Sequence, residues 1–535
     1  MNRPWGTSSE AFINGSLVAL VFCAPLLLSS CSGINPAAST KSSNSSSTGA
    51  PLTATDVTTV VQNAATSVNE PMVVAVADRA GNILALYHTA PSYPSTAVGN
   101  FGQTVNSDDL AIALARTAAF FSNDQAPLSS RTVRFISGIH FPPGVAGTPS
   151  ADLYGIENTN RGCTLSTNFL PNQSVSPSGA LNGGPGLGII TGKADVYDSQ
   201  PSAVNPGGVP LFNGGAVGGV GVVSTSPEVA EFAAFSGAAN SGFLPSVSQL
   251  PPPGVVVIGG ISLPFVNQTT LPAGESQGTN AAYLAGTYIR AATAGTLPPE
   301  GYLVGPNAGS MLAASDVNEI ITNAVNTANS TRAVIRLPAD SAARMTIAVS
   351  DVDGTLLGLY RMHDGTVFSI DVAASKARNV IWFSTAGSRD LPGVPSGTAV
   401  TNRTVSFGAQ PLFPSGIDGS GPGPFFQLYQ YDVANPCTQG SSPGTPNTNN
   451  LSGIVFFPGS LPLYRNGALV GGLGVSGDGV DQDDFVTAGA VNAACGQGGP
   501  CGVPDFQAPV NIRADQVVID NVRLPYQKFP RDPTN

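Results

Sequence analysis

Charge is scarce in this chain. Only 10% of its 535 residues are Asp, Glu, Lys or Arg, and lysine occurs only at Lys41, Lys193, Lys376 and Lys528. A nucleic-acid surface needs clustered cations to displace phosphate counterions, so with a net charge of −11 no nucleic-acid partner is expected. Histidine is rarer still: His88, His140 and His363, none in an HExxH or any paired metal-ligand spacing, so no metal site is expected. There is no CxxCH, which excludes covalently attached c-type haem, and no GxSxG nucleophile elbow is evident. Asp78, Asp351 and Asp353 fall in turn contexts, where a carboxylate bonds its local backbone. No catalytic constellation assembles, and the chain reads more as a binding protein than as an enzyme. A membrane-spanning helix is also missing. The longest candidate run, SLVALVFCAPLLL from Ser16 to Leu28, is interrupted by a proline and is too short for a span of roughly 20 residues.

That run has a different use. Arg3 precedes it and Leu28-Ser29-Ser30-Cys31 follows it, close to a bacterial lipobox in which the cysteine is acylated. Residues 1–31 are therefore expected to be a lipoprotein signal peptide with its lipobox, and Cys31 the attachment to a lipid bilayer. Residues 32–50, rich in Ser, Asn and Thr, are expected to be a disordered tether. Ser32 is not the aspartate that would hold a lipoprotein at the inner membrane, which points to the outer membrane of a bacterial envelope. In that oxidising compartment four cysteines remain. Cys495 and Cys501 enclose GQGGP and are placed for a local disulfide, and Cys163 and Cys437 are then available to each other.

What the chain has in abundance is glycine, 63 residues, and proline, 45, a composition that suits a β-rich, loop-heavy extracytoplasmic protein. It is also a duplication. Leu52-Thr-Ala-Thr-Asp-Val57 returns as Leu312-Ala-Ala-Ser-Asp-Val317, each opening a helical pattern with its acid near the N-terminus. PMVVAVADRAGNILALYH (71–88) returns as MTIAVSDVDGTLLGLYRMH (345–363), a strand, a turn and a strand. Arg116 and Arg378 align in a second helix, and Arg131-Thr-Val-Arg-Phe135 answers Arg403-Thr-Val-Ser-Phe407. VVIGGISLPF (256–265) matches VVIDNVRLPY (517–526), with Gly259-Gly260 and Asp520-Asn521 where a tight hairpin turn would fall. The expected division is repeat 1 over 51–295, a linker over 296–310, and repeat 2 over 311–535.

The most glycine-rich stretch, GGVPLFNGGAVGGVGVV (207–223), recurs as GSLPLYRNGALVGGLGVSG (459–477). The second copy contains a literal GxGxxG at Gly472, Gly474 and Gly477. A dinucleotide site needs a βαβ unit with an acid ending its second strand, and the chain instead runs into CGQGGPC. Neither copy carries the lysine of a P-loop. The stretch reads as a core hairpin whose glycines permit close approach by neighbouring elements.

Taken in order, these motifs resemble the GlcG/HbpS family, which includes the C-terminal domain of PduO-type proteins. The residues that carry the resemblance are Val73 to Asp78, Gly81, Leu84 to Leu86, Pro206 to Leu211 and Gly218 to Val222. In the second copy they are Ile347 to Asp351, Gly354, Leu356 to Tyr360, Arg361-Met362-His363-Asp364-Gly365, Pro458 to Leu463 and Gly471 to Gly477. The resemblance implies an α+β fold: two profilin-like modules, each an antiparallel sheet with flanking helices, here with an added β-hairpin per repeat. It implies an internal pseudo-dimer and a small planar ligand such as non-covalent haem b. His363 and His88, taken as comparable positions after the second strand, are the first candidate ligands, with Tyr360, Tyr87 and Arg361 beside them. A structural or interaction protein without ligand, or an enzyme acting on haem or another small metabolite, are the alternatives. The chain departs from the family in its long segments after the second helix and in His88-Thr-Ala-Pro at the place of the RMDGA motif.

Overall fold

A computed structural model describes residues 49–163, 177–202, 204–245, 255–385, 389–441, 452–491 and 506–534. The signal peptide, Cys31 and nearly all of the tether lie outside the described residues, as do Cys495 and Cys501.

Repeat 1 runs through α1 (Ala54–Ala65), β1 (Met72–Asp78), β2 (Ile83–His88), a small pair β3 (Thr96–Val98) and β4 (Thr104–Asn106), then α2 (Ser107–Phe121) and α3 (Ser130–Phe135). It continues with β5 (Gly208–Phe212), β6 (Ala216–Ser224), α4 (Pro227–Asn240), the hairpin β7 (Val257–Ile258) and β8 (Ile261–Ser262), α5 (Asn280–Leu284) and β9 (Thr287–Arg290). Repeat 2 comprises β10 (Gly301–Val304), α6 (Ala314–Asn329), β11 (Thr346–Ser350), β12 (Leu356–Arg361), α7 (Phe368–Phe383), α8 (Asn402–Gly408) and α9 (Phe426–Ala434). It ends with β13 (Ser460–Arg465), β14 (Ala468–Ser476), α10 (Val480–Val491) and the hairpin β15 (Val518–Ile519) and β16 (Val522–Arg523).

Each repeat builds one five-stranded antiparallel sheet, in the orders β5-β6-β1-β2-β9 and β13-β14-β11-β12-β10. All seven residues of β1 are buried because both faces are covered. Val74 and Val76 pack towards α1 and α4, and Val73, Ala75 and Ala77 towards α2. The period of two sends alternate side chains to opposite faces. With helices on both, the strand reads as an apolar run rather than an alternation. The α+β modules expected from the resemblance are therefore present, with the helices in two layers around each sheet.

The layer spacing depends on glycine. A Cβ on Gly221 of β6 would stand 2.0 Å from the Ala111 carbonyl oxygen of α2, and one on Gly219 2.2 Å from that of Ala115. In repeat 2, Gly474 and Gly472 of β14 would each meet α7 at 2.1 Å, at the Ala373 and Ala377 carbonyls. Helix backbone rests directly on strand backbone, and no side chain fits between. The literal GxGxxG is part of this contact.

Other repeated motifs have matching roles. Arg116 and Arg378, both buried, donate through Nε to the carbonyls of Gly81 and Gly354 in the β1–β2 and β11–β12 turns, at 2.9 Å each. Burial pushes both guanidinium groups down to about 10. The added hairpins turn on Gly259-Gly260 and Asp520-Asn521, all four at positive φ, as a two-residue primed turn requires. Ser129 and Thr401, which cap α3 and α8, reach the carbonyls of Phe265 and Tyr526 after those hairpins. A buried carboxylate then locks each closing segment. Glu231 pairs with Arg131 and accepts from the backbone N–H of Asn267 and Gln268, and Asp484 pairs with Arg403 and accepts from that of Lys528.

The join between repeats is not a plain linker. Gly301–Val304, inside 296–310, is a strand of the second sheet, and β9 just before it completes the first. The two are copies of one motif, TYIRAATAGT (287–296) and GYLVGPNAGS (301–310). Tyr288 pairs with Tyr87 as Tyr302 pairs with Tyr360. Thr296 N–H donates to Asp78 as Ser310 N–H donates to Asp351. Repeat 2 carries this edge strand at its start and repeat 1 at its end, a cyclic shift.

The repeats share a core. Phe121 and Phe368 stack at 4.1 Å with their planes 6° apart, and Val367 N–H donates to the Phe120 carbonyl. The long segments after α2 and α7 form a further apolar cluster containing Ile139, Tyr154, Phe425, Tyr429 and Phe456. There Cys163 is bonded to Cys437, 274 residues away, with Cα atoms 5.3 Å apart.

Two substitutions test this packing by denaturant unfolding. Gly221→Ala and Gly474→Ala should each destabilise by about 1–3 kcal/mol through overpacking. Gly421→Ala, where a Cβ meets nothing within 4 Å, should stay within about 0.5 kcal/mol of the native chain. Replacing Cys163 and Cys437 by Ser should cost about 2–5 kcal/mol, because the bridge closes a long loop in the unfolded chain.

Candidate functional site

The turn from β12 into α7, Arg361-Met362-His363-Asp364-Gly365, gathers charged side chains from both repeats. Arg361 is fully buried and folds back on its own turn, its Nε and Nη2 donating to the Gly365 carbonyl. Burial, with Arg79 nearby, pushes its guanidinium down to about 10 against the opposing pull of Glu300. Glu300, which immediately precedes β10, accepts the Asp364 backbone N–H at 3.0 Å with one oxygen and pairs with His363 Nδ1 at 3.0 Å with the other.

Asp364 has positive φ, 56°, and points into the interface between the repeats. Arg79 Nη2, from the β1–β2 turn of repeat 1, donates to it at 2.5 Å. Arg336 Nη1 donates at 2.6 Å, and the Asp124 backbone N–H reaches both its oxygens at 3.1 Å. Arg79 also pairs with Asp124 at 3.1 Å, and Arg336 with buried Asp478. Burial alone would raise the Asp364 carboxyl. Arg79 and Arg336 overcome it and hold the group well below the usual carboxylate range. Asp124 moves the other way, raised by burial and by the Asp364 charge.

His363 sits at the rim of this network, its side chain 28% exposed. Glu300 occupies the Nδ1 side of the ring, and no described residue hydrogen-bonds Nε2. Tyr360, half-buried on β12, meets Tyr302 edge-on at 5.0 Å. The structure thus places Tyr360, Arg361 and His363 in one segment, supported from β10.

The repeat-1 candidates lie elsewhere. Tyr87 is buried, its hydroxyl donating to the Tyr283 carbonyl and its ring against Tyr283 and Tyr288. Burial pushes that phenol up to about 12. His88 Nε2 is committed to Asp108 at 2.6 Å. No hydrogen bond or ring contact among the described residues joins this pair to the other three. The equivalence expected between His88 and His363 is corrected by the register. His88 pairs with Val73 as Arg361 pairs with Thr346, and Thr89 donates to Met72 as Met362 donates to Met345. His88 is therefore the counterpart of Arg361, and His363 lies two residues further on, where the repeats have diverged.

Glu300, Arg79, Asp124 and Arg336 are absent from the sequence-level site. Arg79 stands where repeat 2 has Val352, and Arg336 lies in a loop of 330–345 that is much shorter in repeat 1. Positions where charge breaks the internal repeat were the available signal.

Two small cavities among the described residues have room for about 10 Å³ each, one lined by Arg116, Phe120 and Asn160, the other by Leu128, Val256 and Phe265. That holds one water. Among the described residues no group of three His, Cys, Asp or Glu could hold a metal ion, and no helix is long and apolar enough to cross a membrane.

Residues 312–492 match a family model described as haem degrading protein HbpS-like, so repeat 2 is an HbpS-like domain. Among solved structures, the Klebsiella pneumoniae protein ORFY is 20% identical, over 33% of this chain and 85% of that one, with a TM-score of 0.21. A PduOC–haem complex is 22% identical, over 36% of this chain and 96% of that one, with a TM-score of 0.22. No curated protein matches the chain.

Replacing Asp364 by Asn should destabilise by about 3–5 kcal/mol near neutral pH, because it leaves two buried guanidinium groups short of their counter-charge. The folded-state pKa of Asp364 is depressed, so its contribution is complete above the ordinary carboxylate range and is lost as pH falls below it. The gap between native and Asp364→Asn stabilities, measured by urea unfolding, should therefore narrow as pH is lowered below about 4.

Proposed function

We propose that this is a lipid-anchored protein of the bacterial envelope whose HbpS-like repeat binds haem, or a planar ligand like it, through His363. The observation that carries this reading is the state of the imidazole: Glu300 takes Nδ1 and leaves Nε2 unengaged at a half-exposed rim. A carboxylate on one ring nitrogen fixes the tautomer and raises the basicity of the other, the arrangement common to metal-ligating histidines. The family description of residues 312–492 supports the choice of haem.

The residues present fit one part of a haem site. His363 would supply an imidazole ligand supported by Glu300, and haem would bring a redox-active iron. His88 contributes nothing, since its Nε2 is committed to Asp108. The anchor rests on Leu28-Ser29-Ser30-Cys31.

A second reading, an interaction protein without ligand, is favoured by the long segments that pack over both repeats and are bridged by Cys163–Cys437. Hemin titration of the purified chain separates the two. The proposal expects a saturable Soret shift that His363→Ala abolishes, that Glu300→Gln weakens by about 10-fold or more, and that His88→Ala leaves unchanged. The absence of a saturable shift would establish the second reading instead, and undiminished binding by His363→Ala would overturn His363 as the ligand.

A further inference from the structure

His140 takes no part in the arrangement above, and it is not an isolated side chain. Its Nδ1 lies 2.6 Å from Ser199 Oγ and its Nε2 2.8 Å from Asp418 Oδ1. Ser199 Oγ accepts the Gly144 backbone N–H at 3.2 Å, and Asp418 Oδ2 accepts that of Gly147 at 2.9 Å. Gly144 and Gly147 both have positive φ, 78° and 72°, which lets one short loop present two N–H groups. The Asp418 loop is held to the other repeat by Ser150 N–H donating to Ser415 Oγ at 2.8 Å.

His140 and Ser199 come from the long segment of repeat 1 and Asp418 from that of repeat 2, so the cluster exists only because the repeats pack together. The imidazole is largely buried, its side chain 11% exposed, while Ser199 is half-buried and Asp418 exposed. Solvent can therefore reach the serine. Exposed apolar residues adjoin each part: Val145 next to Gly144, Tyr197 two residues before Ser199, and Ile417 next to Asp418.

The geometry points to a second, hydrolytic site in which Ser199 is the nucleophile, His140 the general base and Asp418 the group that orients it, acting on small esters with an apolar acyl group. A carboxylate accepting from Nε2–H fixes the tautomer with its lone pair on Nδ1, where the serine hydroxyl donates. Familiar triads use the ring the other way round, with the serine at Nε2. Either nitrogen of a neutral imidazole can be the basic one, so proton accounting is unchanged. Ser199 Oγ bonds to the ester carbonyl carbon as its proton passes to Nδ1. The ester C–O bond then breaks, and the leaving alkoxide takes that proton. Water attacks the acyl-serine by the same route, releasing the carboxylic acid and restoring Ser199. The Gly144 N–H, donating to Oγ, holds the serine hydroxyl beside Nδ1. Exposed Val145, Tyr197 and Ile417, each within two residues of a member of the cluster or its loop, suit a short acyl chain.

This site is independent of His363, so the outcome of a hemin titration does not bear on it. The full chain, folded by circular dichroism, should be treated with a fluorophosphonate and digested for mass spectrometry, and its hydrolysis of p-nitrophenyl butyrate followed. The expected result is a single adduct on Ser199 and a turnover that falls roughly 100-fold or more on Ser199→Ala or His140→Ala. Asp418→Asn should slow labelling without changing the site labelled. An unmodified Ser199 in the folded chain, or hydrolysis that survives Ser199→Ala, would overturn the proposal. Labelling of the native chain is decisive even if a variant fails to fold.

Discussion

The architecture depends on one contact, the backbone of α2 lying on the glycines of β6 and that of α7 on those of β14. With imagined Cβ atoms about 2 Å from helix carbonyls, the spacing between layers is set by main chain on both sides. Helices that sit so close must themselves be small-faced, and Ala111 and Ala115 meet Gly221 and Gly219 as Ala373 and Ala377 meet Gly474 and Gly472. Glycine costs conformational entropy in a strand, and that cost is offset by burying a whole helix against the sheet. The same requirement produces glycine spacing that mimics a nucleotide loop, although nothing about the contact involves an anion.

Once that spacing is set, alternation along β1 sorts side chains onto the two faces and the rest of each module follows from repeated parts. Buried Arg116 and Arg378 hold the hairpin turns, and Ser129 and Thr401 hold the closing hairpins. Each is a polar side chain satisfying a backbone carbonyl that a compact turn leaves without a partner. The paired arginines and the closing hairpins were legible in the sequence because both repeats possess them, whereas the caps Ser129 and Thr401 were not read there. Gly259-Gly260 and Asp520-Asn521 were legible for a stronger reason, since few other residue pairs tolerate positive φ twice in succession.

What the sequence hid is whatever the duplication did not preserve. The edge strands β9 and β10 were obscured because adjacent copies of one motif serve different sheets, and a short strand among prolines and glycines reads as a linker. The error over His88 was one of register. Counting from the common Asp78 and Asp351, the strands bring His88 level with Arg361, and a two-residue offset is invisible where chains diverge at a turn. The Asp364 network was hidden for a physical reason as well. Arg79, Asp124, Arg336 and Asp478 converge from separate loops, and no spacing in the chain encodes such a meeting. The Cys163–Cys437 bridge was within reach only as the pairing left over.

Asymmetry is also where the chemistry lies. Arg79 of repeat 1 meets Asp364 of repeat 2, and repeat 2 has Val352 where repeat 1 has Arg79, so this contact between opposite charges is made once rather than twice. The buried network fixes the turn that carries His363, while Glu300 from the join fixes its ring. His140 reaches a serine on its own repeat and a carboxylate on the other. In both places the duplicated scaffold supplies rigid strands and helices, and the reactive nitrogen is held by residues that only one copy has. A single module cut from this chain would lose Arg79 and Asp124 beneath the turn that carries His363, and would separate His140 from Asp418.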